Sequence, residues 1–194
     1  MKIQYAPGAT PLDPDEISGL IPTHITNQSQ LNEWEAANIL KAEIWLFSGA
    51  SLGDFLSIAF IKQAHKKMFD DTWAWAGEFR LTEKNIGVSP FKITANLNDL
   101  LEDVRYQIIH KSLPMDEIAY RFHHRLVVIH PFANGNGRHA RMMADLLLTQ
   151  AGQAKFTWGK DSLEKSGSTR KKYIDALRAA DKLNYESLAK FVRS

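Results

Sequence analysis

Apolar positions recur along this chain mostly at helical spacing. Ile118, Phe122, Leu126 and Ile129 repeat at four, four and three residues, the stripe of a helix that ends near His130. Met142, Met143, Leu146 and Leu147 begin a second apolar helix, which Ala151-Gly152 stops. Leu97, Leu100, Leu101, Val104 and Ile108 predict another, separated from the 118–129 stripe by Pro114. Leu56, Ala59, Phe60 and Ala64 suggest a helix running to about Met68 and Phe69. Leu31, Trp34, Ile39 and Trp45, with alanines between them, predict a long helix from a Ser or Asn cap near Ser29 to Ser48-Gly49. Tyr173, Ala176, Leu177 and Ala180 form a last stripe, and Leu188, Phe191 and Val192 suit a short terminal helix.

The intervals between these stripes read differently. Residues 1–25 hold Pro7, Pro11, Pro14 and Pro22 with Gly8 and Gly19, which predicts an extended arm that packs without regular structure. Trp73 and Trp75 lead through Ala76-Gly77 to Phe79-Arg80, aromatics that pack a turn onto the core. From Arg80 to Ile93 the mixed polar and β-branched sequence, with Gly87 and Pro90, fits a loose β-hairpin. Lys165 to Lys172 reads as an exposed linker. The expected fold class is mainly α with one small β-hairpin.

With 194 residues, 44% of them hydrophobic, the chain can bury one sizeable core, and one domain is expected. A net charge of +2 with 24% charged residues is close to balance, so bulk charge indicates no direct nucleic-acid or membrane binding. No apolar run reaches the roughly 18 residues of a spanning helix, and the N-terminus lacks a signal peptide's apolar core. With no cysteine in the chain, disulfides and Cys-ligated metals are excluded, which is compatible with a reducing, cytoplasmic location.

The chemistry concentrates between the two central stripes, in His130-Pro131-Phe132-Ala133-Asn134-Gly135-Asn136-Gly137-Arg138-His139-Ala140-Arg141. Its glycines fall where one helix stops and another starts, so the backbone can turn tightly and aim free N–H groups at an anion. Arg138 and Arg141 are three apart near the positive end of the second helix, where cations oppose the dipole unless an anion joins them. His130 is a base that titrates near neutrality. Each residue alone has an ordinary reading, solvated arginines and a hydrogen-bonding core histidine; together they read as a triphosphate site.

The stretch resembles the signature loop of the Fic (filamentation induced by cAMP) family, H-x-F-x-(D/E)-(G/A)-N-(G/K)-R-x-x-R. It departs only at Asn134, where the family usually has an acid. Residues Pro11 to Gly159 are also similar to a small bacterial Fic subgroup called mobile mystery protein B. That likeness is carried by Thr10-Pro11-Leu12-Asp13-Pro14-Asp15-Glu16, Leu31-Asn32-Glu33-Trp34-Glu35, Trp73-Ala74-Trp75-Ala76-Gly77 and Phe122-His123-His124-Arg125-Leu126. The resemblance implies a Fic-type helical bundle with one small β-hairpin flap: an arm over 1–25, then a single Fic domain over 26–194 with flap 80–93 and signature loop 130–141. It implies a protein adenylyltransferase that moves AMP from ATP to a Ser, Thr or Tyr hydroxyl of a target protein.

In that reading His130 is the catalytic base, Gly135, Asn136 and Gly137 supply amides to the phosphates, and Arg138 and Arg141 hold the β- and γ-phosphates. Phe132 anchors the loop and His139 has no role. Asn134 stands where the family binds Mg²⁺ (or Mn²⁺) through the phosphates, and its amide brings no negative charge. Flap residues Asn85, Ile86, Gly87 and Val88 would dock the target by strand addition. Many family members also carry an inhibitory helix, (S/T)-x-x-x-E-(G/N); here that helix spans 29–47, and Ser29 to Glu33 fits all but the final position. Glu33 is the expected partner of Arg141, with Glu35 as the alternative. Two other readings stay open. One is a catalytically weak or different-nucleotide module, toxin-like and held by an antitoxin-like or regulatory partner. The other is a metal-dependent hydrolase, prompted by His123, His124 and His130.

Overall fold

The computed structural model describes residues 10–48, 54–160, 163 and 167–194. Among these the chain forms α1 (Pro14–Ile17), α2 (Gln28–Phe47), α3 (Ile58–Phe69), α4 (Ile93–His110), α5 (Met115–Ile129), α6 (Asn136–Gln150), α7 (Ser168–Ala180) and α8 (Glu186–Val192). A 3₁₀ turn, Pro90–Lys92, precedes α4. Helices α5 and α6 are the central pair, α4 packs on α5, α2 lies against α3 and α6, and α8 joins α7 to α5. The sequence stripes face inward as spaced: Ile118, Phe122, Leu126 and Ile129 of α5 and Met143, Leu146 and Leu147 of α6 are all buried.

A second, smaller core sits beside this one. Leu12 and Ile25 of the arm, Leu31 and Ala42 of α2, Met68 and Phe69 of α3, then Trp73, Ala76 and Ala133, pack together. This cluster joins the arm, α2 and the end of α3 to the loop after α5. Burying its Leu, Ile, Met and Phe side chains stabilises by roughly 1.5–3 kcal/mol each.

The structure corrects the fold class: among the described residues there is no β-strand, and the expected hairpin over 80–93 is absent. What remains of pairing is two isolated bridges, Leu20 with Trp73 and Phe79 with Phe132. The reason is a side chain. Arg80, 3% exposed, donates from Nε to His130 O at 2.7 Å, from Nη1 to Thr82 O at 2.8 Å, and from Nη2 to Val88 O. A buried guanidinium thus satisfies carbonyls that a ladder would have paired, and the segment closes around it as a loop. Gly87 makes the closest approach, with φ +112°; a Cβ there would lie 2.6 Å from Arg80 Nη2 and 2.8 Å from His130 Cβ.

Three local expectations also change. The arm contains a helical turn, α1, where no regular structure was expected. The buried stripe of α2 is Leu31, Glu35, Asn38, Ala42 and Leu46, so Trp34 lies partly exposed with its Nε1 on Asp71 O at 3.0 Å. Ser168 to Lys172 are the opening of α7 rather than linker, while Lys165 and Ser166 lie outside the described residues.

Candidate functional site

Helix α5 ends on His130, whose left-handed backbone (φ 53°, ψ 59°) reverses the chain while its N–H still bonds Leu126 O. A non-glycine residue held there is a strained position, and such positions gather at functional sites. The ring is nearly buried. Its Nδ1 lies 3.4 Å from Val127 O, and a carbonyl can only accept, so Nδ1 carries the proton. The lone pair of Nε2 therefore faces outward, where it meets Thr10 Oγ1 at 3.0 Å. Burial, helped by the nearby Arg80 and Lys84 charges, pushes the His130 pKa down to about 4, so the imidazole is neutral at pH 7.

The loop after it is pinned from within. Asn136 accepts from Phe132 N–H at 2.9 Å through Oδ1 and donates to Phe132 O at 2.8 Å through Nδ2, so its side chain shapes the turn. Phe132, fully buried, stacks on His65 with ring centroids 3.7 Å apart. His65 Nδ1 accepts from Gly77 N–H, so Nε2 is the protonated nitrogen and donates to Asn134 O at 3.0 Å. Gly135 starts α6 with φ +77°, and a Cβ there would lie 2.5 Å from Phe69 Cζ. Since glycine brings no capping side chain, none covers the first amides of α6, those of Asn136 and Gly137 included.

Arg138 occupies the first turn of α6. Its guanidinium donates to Glu35 Oε2 at 2.7 Å, lies 3.4 Å from Asn134 Oδ1 and sits over the Phe69 ring at 4.9 Å. Glu35 is 5% exposed and also accepts Trp73 Nε1–H at 2.7 Å. Arg141, one turn on, lies over the Tyr173 ring of α7, with its Nη1 3.7 Å from where a Cβ on Gly137 would stand. The acid that reaches the loop is Glu35, the alternative to Glu33, and the arginine it meets is Arg138 rather than Arg141. Glu33 is exposed and its hydrogen-bond partner is Ser29 at 3.4 Å.

Asn134 turns its amide oxygen inward, onto Gly135 N–H at 2.6 Å and Arg138. Of the flap residues, Asn85, Ile86 and Gly87 are exposed, whereas Val88 is held through its N–H to Ile129 O and its carbonyl to Arg80. The three histidines that suggested a shared metal diverge: His123 bonds Tyr173, His124 bonds Asp181 and His130 bonds Thr10. Among the described residues no group of three His, Cys, Asp or Glu converges as a ligand set.

Sequence reasoning missed the supports. His65 lies on the apolar face of α3 beside Ala64 and Met68, where a polar residue signals a buried partner. Asn38, on the same stripe as Glu35, accepts Asp71 N–H at 2.9 Å and donates to Lys67 O at 3.2 Å, tying α2 to the end of α3. His139 Nε2 donates to Ile61 O at 3.1 Å.

Residues 55–148 match the sequence model of the Fic/DOC family, a span that contains the loop and flap but not Glu35 or Thr10. The chain is similar to protein adenylyltransferase fic-1 of Caenorhabditis elegans, 30% identical over 104 residues that cover 51% of this chain and 20% of that protein. It is also similar to protein adenylyltransferase VbhT of Bartonella schoenbuchensis, 28% identical over 153 residues covering 75% of this chain and 31% of that one. The chain thus spans less than a third of the length of these curated relatives. Among solved structures, Fic-1 of C. elegans aligns with a TM-score of 0.67 at 24% identity, over 91% of this chain and 51% of that one. BepC of Bartonella tribocorum, solved with bound AMPPNP, aligns with a TM-score of 0.70 at 18% identity, over 93% and 97%. At these identities the structural likeness establishes the fold.

Proposed function

We propose, from the premise that this chain carries a Fic/DOC family domain over residues 55–148, that it transfers AMP from ATP to a hydroxyl of a protein. One observation carries the reading: the Nε2 lone pair of His130 faces a hydroxyl at 3.0 Å, beside the open start of a helix that bears Arg138 and Arg141. His130 would take the proton of the acceptor hydroxyl as that oxygen attacks the α-phosphorus. The amides of Asn136 and Gly137 and the guanidinium of Arg138 would meet the phosphates, and Arg141 would join them after leaving Tyr173. Glu35 occupies the Arg138 guanidinium in this structure, so the loop is read as self-restrained. The exposed flap tip, Asn85 to Gly87, would contact the target without strand addition. The relatives named as adenylyltransferases, and the bound AMPPNP of BepC, support this reading. The closer likeness to the mobile mystery protein B subgroup and a cytoplasmic setting belong to the same proposal, as does a single domain over 26–194 preceded by the arm.

Family members of this kind use a divalent metal with the nucleotide, but the residues here do not fit one. The oxygen of Asn134 is neutral and already accepts Gly135 N–H, and the nearest loop-facing carboxylate, Glu35, is paired with Arg138 and Trp73. No step is therefore assigned to a protein-held metal. The same feature favours a second reading, a nucleotide-binding module of slow turnover. The test is calorimetric titration of ATP together with transfer of label from the α-phosphate. Under the first reading His130→Ala keeps binding and loses transfer; binding without His130-dependent transfer in any variant favours the second.

A further inference from the structure

The arm lies in the place a target polypeptide would need. Lys84 of the flap, with a side chain 3% exposed, bonds Asp13 Oδ2 at 2.8 Å and Glu16 Oε2 at 2.5 Å, and Thr82 Oγ1 bonds Asp13 Oδ2 at 2.9 Å. Leu12 is buried in the second core. Further along, Ala74 N–H bonds Gly19 O at 2.8 Å and Ile21 N–H bonds Thr72 O at 2.9 Å. At the head of this docked arm Thr10, 6% exposed, sets its hydroxyl on His130 Nε2 at 3.0 Å, and Asn134 Nδ2 reaches Thr10 O at 3.5 Å.

We infer that Thr10 is a self-modification site: the chain adenylylates the Thr10 hydroxyl that it holds against His130. The inference rests on the AMP-transfer reading above. Two features separate it from a structural hydrogen bond. The tautomer fixed by Val127 O points the His130 lone pair at Oγ1–H, the direction a proton must travel when that oxygen becomes a nucleophile. The arm is also anchored by Leu12, Asp13, Glu16 and Gly19 independently of Thr10, so the hydroxyl is not needed to dock it. In the transfer, Thr10 Oγ1 gives its proton to His130 Nε2 and forms a bond to the α-phosphorus of ATP. The bond from that phosphorus to the bridging oxygen breaks, and pyrophosphate leaves with the electron pair. The product is a phosphodiester, formed by the former α-phosphate, that joins Thr10 Oγ1 to the 5′-oxygen of adenosine, and the His130 proton passes to solvent.

The test uses the full chain carrying Glu35→Gln, which removes the charge paired with Arg138, with ATP, Mg²⁺ or Mn²⁺ and a cell lysate as a source of other targets. Tandem mass spectrometry of the N-terminal peptide reads the site. The expected result is one AMP per chain on Thr10, retained on the serine of Thr10→Ser and lost in Thr10→Val and in His130→Ala. Melting curves check that Thr10→Val is folded. Mixed with a longer, tagged His130→Ala chain, the active chain keeps the label to itself. AMP on another residue of the chain, self-labelling undiminished in Thr10→Val, or label passing equally to the tagged chain each overturns the inference. Label on lysate proteins that depends on His130, with none on Thr10, overturns it while the AMP-transfer reading stands. No label on any protein overturns both.

Discussion

Glu35 and Arg138, 103 positions apart in sequence, meet as an ion pair at 2.7 Å across the mouth of the loop. The pair puts a carboxylate of the protein where the start of α6 invites an anion, and Trp73 Nε1–H holds that carboxylate in place. Glu35→Gln keeps an oxygen for Trp73 and removes the charge. It should raise ATP affinity by roughly tenfold, about 1.4 kcal/mol, with little loss of stability. Glu35→Ala leaves Arg138 and Trp73 without this acceptor and should cost about 2–4 kcal/mol. Calorimetric titration and urea unfolding measure the two effects separately.

Arg80 supports the flap and the backbone of His130 together. Arg80→Ala deprives three carbonyls of their donor and should cost roughly 2–4 kcal/mol. Arg80→Lys keeps the charge but not the fork, and recovers only part of that loss. Hydrogen exchange should quicken at Val88, whose N–H bonds Ile129 O, in both variants.

Gly135→Ala combines a left-handed backbone with a Cβ 2.5 Å from Phe69 Cζ. It should destabilise by roughly 2–4 kcal/mol. Adding Phe69→Leu should relieve the steric part and leave the backbone part, a partial rescue visible in melting curves.

Acid should unfold the protein early. Burial holds His65 and His123 well below 6.5, and His130 and His139 down to about 4. Because these folded-state values are depressed, the unfolded chain takes up protons first, and stability is lost as pH falls below 6.5. Each histidine contributes up to about 1.4 kcal/mol per pH unit in that window. Asp145 runs the other way: burial raises it to about 6, so its contribution is present in acid and lost as pH rises through about 6. The four histidines outweigh Asp145, so unfolding below about pH 6 takes up protons on balance. Calorimetry in buffers of different ionisation enthalpy counts them.

Asn134→Asp keeps an acceptor for Gly135 N–H and adds the charge that a divalent cation needs. Transfer in Mg²⁺ should rise, with half-saturation at lower metal. An unchanged metal dependence would mean that the amide at 134 is not what limits the site.

The helices were legible because apolar residues dominate their inward faces: of the residues that periodicity marked in α4, α5, α6 and α8, all but Ile108 and Met142 are buried, and those two are half-buried. The loop was legible because its glycines, asparagine and arginines stand at fixed spacing around a helix start. The flap was not, since its shape depends on Arg80, whose sequence gives no sign that the side chain turns inward to bond three carbonyls. The α2 stripe misled because the residues that face inward include Glu35 and Asn38, polar groups stable there only through partners some 30 to 100 positions away. The motif resemblance set Glu33 ahead of Glu35 as the partner of Arg141, and only the rotation of α2, with Leu31 and Asn38 inward, shows that Glu35 faces the loop. Thr10 against His130, 120 positions apart, has no local signature at all.

The most direct test of the account is transfer of label from the α-phosphate of ATP to protein by three chains, wild type, Glu35→Gln and Glu35→Gln with His130→Ala. Wild type should label weakly, the chain whose Glu35 has lost its charge strongly, and that same chain without His130 not at all. Labelling that is indifferent to His130, or that falls when Glu35 is neutralised in a folded chain, would contradict it.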